Sequence, residues 1–416
     1  MQPEKLKYTF TKKLENTMQK HILLAVTGGI AAYKSCELVR LLKKQGYTVT
    51  VALSKAASEF VTVQTFQALS GNLVLTENGE GAGNGMAHIN ATRAADIMLI
   101  APATANTLAK IAHGIADNLI TEMAAARTCP LVVAPAMNVQ MWRNPANLRN
   151  IGSLKTDGVH VLMPAHGEQA CGEVGEGRML EAAQIAELLP DFWSPKPLLG
   201  KRVLLTVGAT YEAIDPVRGI TNISSGQMGM ALARACREAG SDVSVVYGKI
   251  SAKLPENLVH TEQAISAKNM YDSVFRLLSQ GQDVFISVAA VADYRVANQS
   301  EQKLKKDGSG NAPVIELTEN PDILREVAAL ANAPFCVGFA AESENVLAYA
   351  RAKRAKKNVP MLVANQVSDA MGKATNIITI LSDDGEVSLP EMGKDEVARE
   401  IVAHLAKQLS ARQNAA

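Results

Sequence analysis

The chain has 416 residues, and its 42 Lys and Arg against 41 Asp and Glu give a formal net charge of +1. That balance provides no basic footprint for nucleic acid and no acidic solvating tail. With 47% hydrophobic and 20% charged residues, the composition is that of a globular chain rather than a disordered one, and no apolar run reaches the roughly 18 residues of a membrane span.

Aromatic residues make up only 4%, so the core must be built from Ala, Val, Leu, Ile and Met. The five cysteines are odd in number and include no C-x-x-C pair. This argues against a disulfide framework or a structural zinc site and for a reducing, cytoplasmic location. Residues 1–17 lack the apolar segment of a secretory signal and read as a disordered extension or a misassigned start. From residue 21 short apolar runs alternate with helical stretches. A strand at 21–27 is followed by a Gly28-Gly29 turn, a helix over 30–44 stopped by Gly46, and strands at 47–53, 96–104 and 130–138. The stretch 192–202 holds two prolines around a lysine and then Gly200, the composition of a linker, placed at 193–199. Beyond it come a strand at 203–207, a helix at 226–239, a strand at 242–248, a helix at 264–280 and a strand at 283–293. A helix at 322–331, a strand at 335–342, a helix at 346–357 and a strand at 360–367 complete the pattern. The alternation predicts two doubly wound, Rossmann-like α/β domains with mainly parallel sheets, at 18–192 and 200–416.

In the first half, V-T-G-G-I-A-A-Y-K joins strand to helix. Glycines there let backbone approach an anion, and the helix N-terminus supplies N–H donors. The pattern is not G-x-G-x-x-G, and the second strand ends in Ser54-Lys55 rather than in an acidic residue for a ribose. NAD is therefore disfavoured and a monophosphate such as FMN fits better, although a plain tight turn explains this motif alone equally well. Three more segments bear chemistry: A-P-A-T-A-N-T (101–107), P-A-M-N-x-x-M-W (135–142) with Asn138, and the glycine-rich Q-A-C-G-x-x-G-x-G-R-M (169–179) with Cys171. The last reads as a mobile lid. His88 opens a helix after a glycine-rich stretch. Standing alone, His88 and Asn138 would pass for helix-start residues. Cys36, Cys129, Cys236 and Cys336 read as small buried hydrophobes, and Met141 and Trp142 as packing.

The second half carries D-P-V-R-G-I-T-N-I-S-S-G-Q-M-G (215–229), S-V-A-A-V-A-D-Y-R (287–295), K-L-K-K (303–306) and R-A-K-R-A-K-K (351–357). Ser and Gly at a helix start and clustered cations suit a triphosphate, and the absence of a Walker A motif excludes a P-loop enzyme. Small residues at a strand's carboxyl end leave room for a ligand.

Over residues 20 to about 190 these motifs, in this order, resemble the homo-oligomeric flavin-containing cysteine decarboxylases, in particular phosphopantothenoylcysteine decarboxylase. Over about 200–405, together with N-P-D-I (320–323) and G-F-A-A-E (338–342), the chain resembles the bacterial CTP-dependent phosphopantothenate–cysteine ligases. The halves together resemble the bifunctional enzymes of coenzyme A biosynthesis.

The resemblance implies a flavodoxin-like flavoprotein domain followed by a ligase domain, with FMN, Mg2+ and CTP as cofactors and co-substrate. In that family the flavin oxidises the substrate's cysteine thiol, and the resulting group is the electron sink for loss of CO2. Carried over, His88 handles a proton and places substrate, Asn138 binds the substrate carboxylate, and Cys171 donates the final proton. Gly28, Gly29, Ser54, Thr104 and Asn106 lie near the flavin. In the ligase, Asn222 stabilises an acyl-cytidylate, Arg218 meets a phosphate or carboxylate, and Lys303 acts in cysteine addition. Ala289, Ala290, Asp293, Asp322, Ile323, Phe339, Lys353 and Lys357 contact nucleotide; alternatively Asp293 is a cap, and Lys353 and Lys357 are surface charges. No residue emerges as a Mg2+ ligand. The substrates implied are 4'-phosphopantothenate, cysteine and CTP, without nucleic acid or membrane. The assembly implied is a homo-oligomer, a dodecamer of flavin-domain trimers joined by ligase-domain dimers. A flavin prenyltransferase would leave P-A-M-N-x-x-M-W and the second half unexplained. A non-catalytic regulatory scaffold would not need His88, Asn138 and Cys171 together.

Overall fold

The computed structural model describes residues 19–77, 86–305, 314–366 and 373–415. The extension expected at 1–17 and the last lysine of K-L-K-K lie outside the described residues. The chain divides into two compact units, Met1–Trp193 and Ser194–Ala416.

In the first unit, β1 (His21–Val26), β2 (Thr48–Leu53), β3 (Ile97–Ala103), β4 (Leu131–Pro135) and β5 (His160–Val161) form a sheet in the order β2-β1-β3-β4-β5. Every neighbouring pair is parallel. This is the flavodoxin-like order, in which the winding reverses between β1 and β3. Ile22, Leu24 and Val26 enter the core on one face, and Leu23 and Ala25 on the other. A strand apolar at both parities must be covered by helices on both sides. The helix expected over 30–44 starts as a 3-10 turn, Ile30–Tyr33, before the α-helix Lys34–Lys44. Gly29 offers no side-chain cap, and such uncapped ends tighten. The lid segment is more regular than expected. It is an antiparallel hairpin of β6 (Ala165–Glu168) and β7 (Val174–Arg178) with Cys171 in the turn, closed by Gln169 N–H on the Glu173 carbonyl at 2.8 Å.

The second unit contains β8 (Arg202–Val207), a hairpin of β9 (Tyr211–Ala213) and β10 (Gly219–Thr221), β11 (Asp242–Tyr247), β12 (His260–Gln263) and β13 (Val284–Ser287). A short pair, β14 (Tyr294–Val296) and β15 (Leu317–Glu319), precedes β16 (Phe335–Glu342), β17 (Met361–Gln366), β18 (Thr375–Ser382) and β19 (Gly385–Gly393). The main sheet runs β12-β11-β8-β13-β16-β17-β18-β19. Its first six strands are parallel, in the Rossmann 3-2-1-4-5-6 order with a reversal between β8 and β13. β18 and β19 close the sheet antiparallel. That hairpin and the following helix, Lys394–Ala415, are additions to the sequence reading.

Other differences have local causes. The strand expected over 283–293 stops at Ser287 because the backbone beyond it bonds elsewhere. Ala290 N–H reaches the Gly208 carbonyl at 2.7 Å, and Ala292 N–H the Thr210 hydroxyl at 2.9 Å. The helix expected from 264 begins at Ala267, capped by Ser266, and the one expected over 322–331 is Ile323–Ala328, capped by Asp322. Within the proline-rich joint, Trp193 stacks edge-on against Tyr47 of the first unit at 5.3 Å, and Leu198 is buried in the core of the second. Cys236 and Cys336 are buried as read, and burial pushes both thiols up to about 12. Cys36 and Cys129 are only half-buried. Among the described residues no helix is long and apolar enough to cross a membrane.

Phe285 on β13 is fully buried beneath helix Ala267–Leu278. Phe285→Ala is expected to cost about 3–5 kcal/mol, measured as a fall in the urea midpoint of the unfolding transition of the second unit.

Candidate active sites

At the β1/β3 reversal lies a cavity of about 1030 Å³. Gly28, Gly29, Ser54, Thr104, Asn106, Asn138 and Cys171 all line it, so the structure unites these expected residues. A Cβ on residue 28 would sit 2.8 Å from the Ala56 carbonyl carbon, so only glycine fits there. The Thr27 hydroxyl donates to the Pro102 carbonyl at 2.7 Å and accepts from Thr104 N–H at 3.1 Å, fixing the distance between the two strand-end loops. Thr104 caps helix Ala105–Ala112, and Ser54 receives Ala57 N–H at 3.1 Å.

Asn138 has two jobs. Its Oδ1 caps helix Val139–Arg143, accepting from Gln140 N–H at 2.8 Å. Its Nδ2 donates to the Glu173 carboxylate and lies 3.6 Å from Cys171 Sγ. Gly177 holds this arrangement with φ +130°, and a Cβ there would collide with the Met137 carbonyl. Met141, expected only to pack, is half-exposed and lines the cavity, whereas Trp142 is buried. Lys34 was not singled out from sequence, although it ends the quoted G-G-I-A-A-Y-K. It is 9% exposed, lines the cavity and donates to the Met179 carbonyl at 3.2 Å and Glu181 Oε1 at 2.9 Å. His88 does not line this cavity. It sits on helix Ala87–Ala94, which packs against helix Leu119–Ala126.

The second group of residues collects at the β8/β13 reversal. Asn222 Nδ2 donates to the carbonyls of Ala290 and Val291 at 3.2 and 3.1 Å. Asn320 of N-P-D-I donates to the Ala292 carbonyl at 2.9 Å, and its N–H to that of Asp293 at 2.8 Å. Ala289, Ala290 and Phe339 are half-buried and Asp293 is exposed, while the Ile323 side chain is buried in the core. Asp322 caps its helix through Oδ1 and accepts Lys357 on Oδ2. Lys353 and Lys357 are half-buried rather than surface charges. Burial is the largest influence on the Lys353 ammonium and lowers its pKa, against the pull of Glu342, Asp293 and Asp322. Arg218 Nε lies 3.0 Å from Asp215 Oδ2. Asp215, which sequence reasoning passed over, is buried, and the Arg218 bond holds its carboxyl well below the usual range. Lys303 is exposed on the next loop. No group of three His, Cys, Asp or Glu among the described residues could hold a metal ion.

Residues 11–193 match the flavoprotein family model, and residues 198–409 match that of the DNA/pantothenate metabolism flavoprotein C-terminal domain. The class is thus a two-part flavoprotein of pantothenate metabolism. The chain is 46% identical to the coenzyme A biosynthesis bifunctional protein CoaBC of Vibrio vulnificus strain YJ016, over 93% of this chain and 97% of that one. It is 41% identical to the Bacillus subtilis strain 168 protein of the same name, over 94% and 99%. A crystal structure of the C-terminal domain of a CoaBC protein aligns with TM-score 0.45 and 38% identity, covering 52% of this chain and 99% of that one. The chain belongs to the family of bifunctional coenzyme A biosynthesis proteins. It is an enzyme with a decarboxylase and a ligase activity.

The Lys34–Glu181 pair yields a pH-dependent stability. The hydrogen bond from Lys34 is the largest influence on Glu181 and lowers its carboxyl pKa. Its contribution is therefore present above the ordinary value of about 4.3 and lost as pH falls through the depressed one. Glu181→Gln is expected to cost about 0.5–1 kcal/mol at neutral pH. Thermal melts should show that gap closing as the pH is taken below the ordinary carboxyl range and through the depressed Glu181 value.

Proposed function

We propose that the second unit joins cysteine to 4'-phosphopantothenate with CTP, and that the first decarboxylates the product, 4'-phosphopantothenoylcysteine, with FMN in the β1/β3 cavity. The observation that carries the flavin half is the convergence of seven expected residues on one cavity. The site suits FMN because the helix headed by Thr104 offers free N–H groups to a phosphate. When bound, FMN supplies a two-electron acceptor and donor.

The remaining work falls to side chains. Asn138 has its oxygen committed to the helix cap, so its amide N–H groups are the atoms free to recognise a carboxylate. They already meet one carboxylate, that of Glu173. Cys171, exposed in the hairpin turn beside Asn138, donates the final proton. His88 lies off the cavity of its own chain. In this reading it serves the cavity of a second copy, which makes the homo-oligomer part of the active site. Trimers of flavin units joined by dimers of ligase units give the dodecamer.

In the ligase a substrate carboxylate oxygen attacks the α-phosphorus of CTP and pyrophosphate leaves. The cysteine amine then attacks the acyl carbon, and CMP leaves. Asn222 holds the acyl-cytidylate against the Ala289–Ala290 loop, and Arg218 and Lys303 face the charged groups. Phe339, Asp293, Asp322, the backbone at Ile323, Lys353 and Lys357 bound the nucleotide. Mg2+ would neutralise charge on the triphosphate.

The first test is an absorption spectrum of the purified protein with mass identification of the released cofactor. A yellow protein releasing FMN is expected, and Gly28→Ala should lose the colour because the added methyl collides with Ala56 and displaces the two loops that line the cavity. A colourless wild-type protein that takes up no added FMN would sink the flavin assignment. A second test separates the activities: His88→Asn should abolish decarboxylation and spare ligation, and Asn222→Asp should do the reverse. Loss of both activities from either change in folded protein contradicts the two-site reading.

A further inference from the structure

We infer that Asp215 and Arg218 form a clamp that positions the lysine loop of the ligase unit, so that Asp215 controls ligase turnover through Lys303. The inference rests on the assignment of Lys303 to the ligase reaction.

Asp215 sits in the turn between β9 and β10. Its side chain is 0% exposed. Oδ1 accepts the N–H groups of Val217 and Arg218, both at 2.8 Å, which shapes the turn. Oδ2 accepts Arg218 Nε at 3.0 Å, Arg218 Nη2 and, from across the unit, the N–H of Leu304 at 3.1 Å. Arg218 Nη2 also donates to the Leu304 carbonyl at 2.8 Å. Both backbone groups of Leu304 are therefore gripped by one carboxylate–guanidinium pair. Leu304 stands between Lys303 and Lys305.

The loop is also held upstream. Ser300 N–H donates to the Ile214 carbonyl, next to Asp215, at 3.0 Å, and the Ser300 hydroxyl reaches the Gln302 carbonyl at 2.6 Å. Lys303 thus rides on five residues pinned at both ends to one turn. The other end of the same hairpin runs into Asn222, which grips the Ala290 and Val291 carbonyls. The β9–β10 hairpin therefore sets Asn222 and Lys303 relative to each other.

The chemistry explains why a carboxylate is needed. Oδ2 faces only donors, and a buried charge of this kind is stable because it is paired and hydrogen-bonded. The arginine bond keeps it ionised at every working pH. An amide at 215 would keep the turn through its oxygen but would present N–H groups to the Leu304 N–H and the guanidinium. Arg218→Lys would preserve the positive charge and remove the fork that spans Asp215 and the Leu304 carbonyl. A misplacement of about 1 Å at a reacting group can cost a hundredfold in rate, so a released loop should be felt in turnover more than in binding.

The test uses the full chain, with Asp215→Asn and Arg218→Lys each made alone and Asp215→Asn also made in a Lys303→Ala background. Ligase kcat and KM for CTP and cysteine are measured, with decarboxylation as the control for folding. Cleavage by a lysine-specific protease after Lys303 and Lys305 is followed without substrate. Both single changes should lower ligase kcat about 10–100-fold with smaller changes in KM, quicken cleavage at the loop and leave decarboxylation intact. In the Lys303→Ala background, Asp215→Asn should cost less than about threefold more. Equal losses with and without Lys303, unchanged cleavage, or a parallel fall in decarboxylation would each overturn the clamp. Wild-type turnover in Asp215→Asn beside an inactive Lys303→Ala would sink the clamp alone. A fully active Lys303→Ala would instead sink the role given to that lysine.

Discussion

Both units depend on a gap that must be kept clear where their winding reverses. At such a point neighbouring strands send their connections to opposite faces of the sheet, and a crevice opens beyond their carboxyl ends. Whether it becomes a site depends on what the two strand-end loops do. After β1 and β3 the Thr27 hydroxyl ties one loop to the other, and the bare backbone at residue 28 lets Ala56 close in from β2. After β8 and β13 the Ala290 N–H bonds to Gly208. Helix Gln227–Glu238 lies so close to β8 that a Cβ on residue 229 would be 2.5 Å from the Val207 side chain. In each unit, backbone packed tightly at the reversal is what leaves helix N-termini exposed to an anion.

The polar side chains around these gaps do structural and chemical work with different atoms. Asn138 uses its oxygen as a cap and has its nitrogen directed at Cys171 and Glu173. Asp322 caps with one oxygen and holds Lys357 with the other. Asking whether such a residue is a cap or a ligand is therefore the wrong question. A cap locks the side chain in one rotamer, which is the preorganisation that a binding group needs.

Much of the fold was legible because parallel strands buried on both faces leave continuous apolar runs: β1, β3, β8 and β16 stand near where their sequences place them. The hairpin β18–β19 was not, because β19 is an edge strand that buries little and so carries no period to read. The cavity at the β1/β3 reversal was legible because the residues that line it sit in motifs at strand ends. The position of His88, off the cavity of its own chain, was not, since a motif does not say which surface its side chain meets. The same limit hid Asp215. It lies within the quoted D-P-V-R, but its decisive partner, Leu304, is 89 residues away, and local patterning does not register bonds across that separation.

The basic cluster proposed to meet the nucleotide is held by carboxylates of its own unit. Lys357 is paired with Asp322, and Lys353, its charge disfavoured by burial, is drawn back toward the ammonium form by Glu342, Asp293 and Asp322. Without those carboxylates, two half-buried ammonium groups on one helix face would repel each other. With them the cluster is nearly neutral and stable before any ligand arrives. An incoming phosphate must then compete with carboxylates already in place. A single weak charge gains little from that exchange, whereas a triphosphate replaces several partners together and carries its own metal ion. On the proposed reading, the acidic residues around Lys353 and Lys357 act as a threshold, selecting for the number of charges on the ligand rather than for the presence of charge alone.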